Sequence, residues 1–316
     1  MKSNRVYILI STYNGEKYLK EQLDSIFNQS YKNFRVILRD DCSTDSTLKI
    51  ALNYDIEILS SNKNLGAKKS FEELLHYALN HHNSNYFMFC DQDDVWDKDK
   101  VQKSMDMIIY LENLRLNDNN PILVHSDLRV VDEKLNLIDS SFFQYSNINP
   151  NICSFNRLLM QNTVTGCTMI FNRKLADISL PIADNAIMHD WWIALVASQF
   201  GMIYTIKEAT ISYRQHSSNE VGAVKFNYLY IIKKIKTFLF NRELLQQKLY
   251  PNINQAKAFF KQYGKGVLRC DRYSINSLKE FISIFKKSFF QKRLVLVEYN
   301  ILKQGFIRNM ALLLKI

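Results

Sequence analysis

The sequence predicts an α/β protein whose mostly parallel sheet is flanked by helices and followed by a basic helical appendage. Three observations predict it. Short apolar runs alternate with stretches of helical periodicity from Val6 to Cys90, as successive β-α units require. Each apolar run ends in a polar cluster, which is where open parallel sheets carry their ligand loops. From Lys225 onward the pattern changes to interleaved apolar and basic residues.

Taken in order, Val6 to Ser11 reads as a strand, and Leu19, Leu23, Ile26 and Phe27 recur as on one face of a helix. Phe34 to Leu38 is the second apolar run, and Ser43-Thr44-Asp45 starts a helix over Leu48 to Leu52. Ile56 to Leu59 is the third strand, a helix covers Phe71 to Leu79, and Tyr86 to Cys90 is the fourth strand. The next part is mixed: Ile122 to Val124, Leu128 to Val131 and Thr163 to Phe171 read as strands. His189-Asp190 leads into a helix over Trp191 to Phe200. Tyr228 to Lys236 and Phe281 to Phe290 read as helical, so the chain divides into a region 1–224 and a region 225–316.

Composition bounds the class. The chain has 316 residues, 47% of them hydrophobic, enough for a packed core. With 13% aromatic residues, eight Gly and four Pro, it is neither collagen-like nor of low complexity. Cys42, Cys90, Cys153, Cys167 and Cys270 form no C-x-x-C, which argues against zinc or a disulfide framework and for a reducing compartment. The opening apolar run is too short for a signal peptide and no stretch approaches the roughly 18 apolar residues of a span, so a cytoplasmic location is expected. Charge is divided: residues 225–316 hold 19 Lys or Arg against 4 Asp or Glu, whereas residues 1–224 hold 22 against 27. A basic region of this kind favours an anionic surface. No nucleic-acid module is visible, so nucleic acid is not expected as a partner.

The fourth strand empties into Asp91-Gln92-Asp93-Asp94-Val95-Trp96. Three carboxylates in four residues repel one another unless a cation intervenes, and a hard divalent ion shared with phosphate oxygens fits. The plain alternative is a solvated loop using Asp as a turn residue.

Further motifs follow in order: Ser11-Thr12-Tyr13-Asn14-Gly15, Asp40-Asp41-Cys42-Ser43-Thr44-Asp45, Thr165-Gly166, His189-Asp190-Trp191 and Tyr213-Arg214-Gln215-His216, with Asn219 and Gly222. Together, over residues 5 to 223, they resemble the family 2 glycosyltransferases with a GT-A, Rossmann-like fold, and most of all bacterial polysaccharide rhamnosyltransferases. The resemblance implies an inverting transferase that uses a dTDP- or UDP-linked sugar and a divalent ion, Mg²⁺ or Mn²⁺. Its acceptor would be a saccharide or lipid-linked saccharide of a capsule or cell wall.

The resemblance also implies roles. Thr12, Tyr13 and Asn14 would pack on the nucleotide, Asp41 would read the base edge, and Asn64 and Arg214 would complete the nucleotide-sugar set. Asp91 and Asp93 form the D-x-D, with Asp93, Asp91 and His216 on the metal, Asp93 as its most direct contact, and Asp94 supporting it or the ribose. Asp190 matches the catalytic base, although an aspartate there can simply cap the following helix. Trp96, Thr165, Gly166 and Trp191 would line the sugar and acceptor pocket, a core role being the alternative for the tryptophans.

Departures narrow the reading. Cys42 stands where the family commonly has Gly, which suits only a position without positive φ. Thr12 replaces a common Pro, and the missing Q-x-x-R-W argues against a processive synthase. Rival readings are a UDP-hexose transferase of the same fold and an aspartate-nucleophile phosphatase attacking through Asp91. The basic region, notably Tyr228 to Phe240 and Gly305 to Ile316, is expected either to attach the protein peripherally to the inner membrane face or merely to pack on the core.

Overall fold

The computed structural model describes residues 4–83, 85–114, 120–217, 223, 243–266 and 268–316. Asn219, Gly222 and the stretch from Tyr228 to Phe240 lie outside them. The strands are β1 Val6–Thr12, β2 Phe34–Asp40, β3 Glu57–Ser60, β4 Tyr86–Cys90, β5 Val95–Trp96, β6 Ile122–Val131, β7 Leu137–Asp139, β8 Ile170–Asn172 and β9 Met202–Arg214. They form one sheet in the order β3-β2-β1-β4-β8-β6-β9-β5, with β7 added to β6.

The parallel part expected from the β-α alternation is β3-β2-β1-β4, where β1 pairs in parallel with both β2 and β4. Beyond β4 the sheet is mixed: β8 is antiparallel to β4 and β6, while β6 runs parallel to β9. The parallel part also stands out in burial. All five residues of β4 and the first five of β1 are buried, the signature of strands covered on both faces. Alternate side chains feed two core layers, with Tyr7 and Leu9 on one side and Val6, Ile8 and Ile10 on the other.

Helices α1 Leu19–Phe27, α2 Thr47–Ala51, α3 Ala67–His81 and α4 Lys100–Leu114 cover the sheet. After them come α5 Phe142–Tyr145, α6 Phe155–Met160, α7 Arg173–Ser179 and α8 His189–Phe200. The C-terminal helices are α9 Glu243–Tyr263, α10 Arg272–Ile282, α11 Phe289–Glu298 and α12 Phe306–Lys315. Helix α8 buries seven of its residues, so its sequence is apolar on nearly every side rather than on one stripe.

Two sequence expectations change. Ile122 to Val131 is a single strand whose pairing with β9 slips between Ser126 and Arg129, so the polar interruption marks a bulge rather than a turn. Thr163 to Phe171 is mostly not a strand: a 3₁₀ turn, Gly166–Thr168, precedes the short β8. The turn brings the Gly166 N–H to Asp190, 3.1 Å away, a bond no ladder would supply.

The C-terminal helices share the core layer of the sheet. Phe259 of α9 packs on Trp192 of α8 at 5.4 Å between centroids and on Phe155 of α6 at 5.1 Å. Leu278, Leu296 and Leu312 join the same cluster. Among the described residues no helix is long and apolar enough to cross a membrane.

Gly201 closes α8 against the backbone before β6. A Cβ there would lie 2.0 Å from the Pro121 carbonyl oxygen, and Met202 N–H already donates to that oxygen at 3.0 Å. Gly201→Ala is therefore expected to cost about 1–3 kcal/mol, read as a lower urea midpoint with an unchanged slope.

Candidate active site

The loops after β1, β2 and β4 are stitched together by hydrogen bonds between the backbone of one and the side chains of another. Tyr13 N–H donates to Gln92 Oε1 at 2.9 Å, and Gln92 Nε2 returns a bond to Tyr13 O at 3.1 Å. Asn14 N–H donates to Ser43 Oγ at 2.9 Å, and Thr44 N–H donates to Asn14 Oδ1 at 2.9 Å. Cys42 has φ 71°, contrary to the expectation that this position avoids positive φ. A left-handed non-glycine residue costs about 1–2 kcal/mol. Asp40, which accepts from Ser43 N–H at 2.8 Å and from Thr12 Oγ1 at 3.0 Å, holds the turn in place.

These loops form one side of a cleft of about 800 Å³, whose far wall comes from the 3₁₀ turn and the start of α8. Of the residues singled out from sequence, Tyr13, Asp41, Asn64, Asp91 and Asp93 line the near side, and Thr165, Gly166, Asp190 and Trp191 the far side. The rest do not line it. Thr12 is buried beneath the loop with its hydroxyl on Asp40. Asn14 serves as the staple just described. Trp96 is buried in the core under the Lys100 ammonium, 4.5 Å from its ring, rather than in a sugar pocket.

Arg214 is likewise committed inside the protein. It is buried, lies 4.5 Å over the Tyr18 ring, pairs with Glu21 and donates to Asp93 O at 2.8 Å. Its role is to hold the acidic loop, not to reach into the cleft. Asp41 is buried and engaged as well: it pairs with Arg39 and accepts the Leu65 and Gly66 N–H groups at 2.8–3.0 Å, which shapes the entry to α3.

The acidic loop splits by depth. Asp91 and Asp93 are partly exposed at the cleft, whereas Asp94 is fully buried, accepting from Arg214 N–H at 3.1 Å. Burial, then the neighbouring charges of Asp93 and Asp91, push the Asp94 carboxyl well above its ordinary range. Cys167 stands beside it, and ligand atoms of Asp91, Asp94 and Cys167 lie within 4.8 Å of one another. Burial also raises the Cys167 thiol well above its usual value. A protonated thiol suits a hydrogen-bonded support better than a hard cation's ligand. Lys100 is buried behind this group, and desolvation lowers its ammonium to about 8.

At the rim, His216 Nε2 is 2.8 Å from Asp93 Oδ2, and its ring packs on Tyr18 at 4.9 Å. Asp93 and His216 are thus brought together, as the sequence motifs imply, although His216 does not line the cleft itself.

Across the cleft, Asp190 sits in the first turn of α8. Its Oδ1 accepts the Trp191 N–H at 2.6 Å and its Oδ2 the Gly166 N–H at 3.1 Å. A Cβ on Gly166 would fall 3.1 Å from His189 Nε2 and 3.4 Å from Asp190 Cβ, so a side chain there would crowd both. Asp190 is open to the cleft and enclosed elsewhere, and desolvation raises its carboxyl to about 6 despite those two donors. His189 stacks on Phe71 at 4.2 Å, and burial keeps it neutral by lowering it to about 3. The Trp191 indole N–H is spent on Leu158 O at 2.6 Å, leaving only its ring for the cleft. Sequence reasoning assigned no role to Gln92, His189, Phe71 or Tyr213, all of which line the cleft. Gln92 lay inside the acidic motif, but its contact with Tyr13 joins residues 79 apart and left no local signal.

A family model for glycosyl transferase family 2 matches residues 7–113. The chain is 32% identical over 224 residues to the dTDP-rhamnosyl transferase RfbG of Shigella flexneri, covering 68% of this chain and 74% of that one. It belongs to glycosyl transferase family 2. The transferase is also 26% identical over 315 residues to an uncharacterized glycosyltransferase of Haemophilus influenzae, covering 90% and 92% of the two chains. Among solved structures it is similar to residues 1–349 of S. aureus TarS in complex with UDP-GlcNAc. The TM-score is 0.55 at 18% identity, over 95% of this chain and 80% of that one, a likeness of GT-A fold. Membership sets aside the phosphatase reading of Asp91-x-Asp93, which left the other loops of the transferase unexplained.

An aspartate that must be ionised to accept a proton fails when protonated. With Asp190 as the proton acceptor proposed below, the kcat/KM of the transferase is expected to fall about tenfold per pH unit below about 6. Asp190→Asn is expected to lose roughly 10²–10⁴ in rate. The sign for stability is opposite: burial raises the folded carboxyl above its unfolded value, so its contribution is full below the unfolded value and lost as pH rises through about 6. Asp190→Asn should therefore not lower the melting temperature at pH 7; a large drop would mark it as structural instead.

Proposed function

We propose that the transferase moves a sugar, rhamnose by preference, from a nucleoside-diphospho-sugar to a hydroxyl of a saccharide or lipid-linked saccharide, with inversion at the anomeric carbon. The observation that carries this reading is a carboxylate raised to about 6, Asp190, facing the Asp91 and Asp93 carboxylates across one cleft. Rhamnose and a dTDP-linked donor are favoured by the 32% identity to a dTDP-rhamnosyl transferase. On this reading the catalytic region is 1–224, and a growing surface polysaccharide is the acceptor class.

The side chains take distinct parts. Tyr13, exposed over the cleft, and Asn64 receive the nucleotide, and Asp41 fixes the loop on which it lies. The acceptor hydroxyl approaches from the Asp190 side, where the carboxylate takes its proton as oxygen bonds to the anomeric carbon and the bond to the diphosphate breaks. Two N–H donors hold that carboxylate in position, so little reorganisation accompanies the transfer.

The donor set suits a hard divalent ion. Asp91 and Asp93 offer carboxylate oxygens at the cleft, and His216 adds a ring nitrogen beside Asp93. These residues would hold Mg²⁺ or Mn²⁺, which supplies positive charge against the donor diphosphate.

The test is nucleoside diphosphate release from a panel of nucleotide sugars with Mg²⁺ or Mn²⁺, in the presence of candidate saccharide acceptors. Turnover of dTDP-rhamnose, abolished by a chelator, is expected, with Asp93→Ala losing at least about 10²-fold. A near wild-type rate for Asp93→Ala in saturating metal would sink the metal assignment. Faster turnover of a UDP-hexose would replace rhamnose.

A further inference from the structure

The outer faces of α11 and α12 are apolar where a packed protein would normally be polar. On α11, Phe290, Leu294 and Val297 recur at i, i+4 and i+7, and all three are exposed. On α12, Phe306, Met310 and Leu314 recur at i, i+4 and i+8 and are exposed too. Phe290 is 79% and Phe306 78% exposed. The opposite faces are already occupied, since Val295, Leu296 and Leu312 are buried in the core layer shared with the sheet. Among the described residues the outer rows are therefore not used in packing. Single exposed apolar residues are ordinary, but two helical rows are not.

Charge identifies what they meet. Residues 268–316 contain ten Lys or Arg against three Asp or Glu. Lys286 is exposed beside the start of α11, Lys292 lies 5.7 Å over the Phe285 ring, and the Arg293 guanidinium lies 3.3 Å over Phe289. Apolar rows with cations beside the first of them match the boundary of an anionic bilayer, where acyl chains take the rings and headgroups take the charges. A second copy of the same face would set like charge against like.

We propose that α11 and α12 form a docking face for an anionic lipid surface. The face is joined to the cleft. Arg308 of α12 donates to Ser146 O at 2.6 Å and to Asn147 O at 2.8 Å, and Gln304 Nε2 donates to Asn149 O at 2.9 Å. The segment so held carries Ile148, part of the cleft wall. Docking through these helices fixes the cleft relative to the lipid plane. The inference goes beyond the sugar and the acceptor proposed above and depends on neither.

The test is flotation of the full chain with phosphatidylcholine vesicles, with and without phosphatidylglycerol, at low and high salt. Binding only to the phosphatidylglycerol vesicles, weakened by salt, is expected. Binding should fall at least about tenfold in Phe290→Glu/Phe306→Glu with the melting temperature kept. Lys286→Glu, which leaves the apolar rows intact, should weaken binding by a smaller factor. A wild type that stays in solution at low salt, equal binding to uncharged vesicles, or unchanged binding by both variants would each overturn the proposal. So would a wild-type dimer that the double variant converts to monomer while vesicle binding stays the same, which would assign the face to a second copy.

Discussion

A carboxylate can be raised to about 6 and still stand ready in one orientation only if its surroundings withdraw water without withdrawing every donor. Gly166 meets both requirements for Asp190. Its missing side chain permits the close approach, and its N–H supplies one of the two bonds that orient the carboxylate. Much else follows from that contact. The 3₁₀ turn interrupts what would be a longer strand, so β8 is only three residues long and can bridge β4 and β6 only briefly. Helix α8 must place its first turn against the turn, so it is driven deep into the core and reads as apolar on all sides.

The opposite wall meets a different constraint. Three carboxylates after one strand are stable only when they are separated in depth and surrounded by compensating groups. Asp94 is withdrawn into the core, where the Arg214 N–H and the buried Lys100 face it, and Asp93 is held by His216. Arg214 spends its guanidinium on Glu21 and on the Asp93 carbonyl. The cations of this region thus work as scaffolding for the acids. That arrangement leaves the acids, rather than the cations, presented at the cleft.

How much of this the sequence disclosed depends on whether a signal is local. Fully buried parallel strands announce themselves as unbroken apolar runs, so β1 and β4 were legible, and β2 through its apolar centre, together with their loops. The depth of a residue within a motif was not. Thr12 and Tyr13 are adjacent, yet Thr12 turns inward to Asp40 while Tyr13 faces the cleft, because successive side chains leave an extended backbone on opposite sides. The same alternation puts Trp96 and Arg214 in the interior despite their place in family motifs. Cys42 misled for another reason: its positive φ is imposed by hydrogen bonds to Asp40, which composition at that position does not reveal. The pairing of Gln92 with Tyr13 was out of reach because it joins two loops distant in sequence.

The C-terminal helices show that a region set apart by charge is not thereby set apart physically. Their net charge differs in sign from the rest of the chain, yet Phe259, Leu278 and Leu296 lie in the same core layer as Leu9 and Trp192. Polar bonds reinforce the joint: Asn156 of α6 donates to Tyr299 O at 2.8 Å, and Asn252 of α9 donates to Leu159 O at 2.9 Å. Helix α6 in turn packs against α8, the helix that carries Asp190. Charge on the outside of the helices and packing on their inside therefore obey separate demands, the first set by what lies beyond the surface and the second by the cleft.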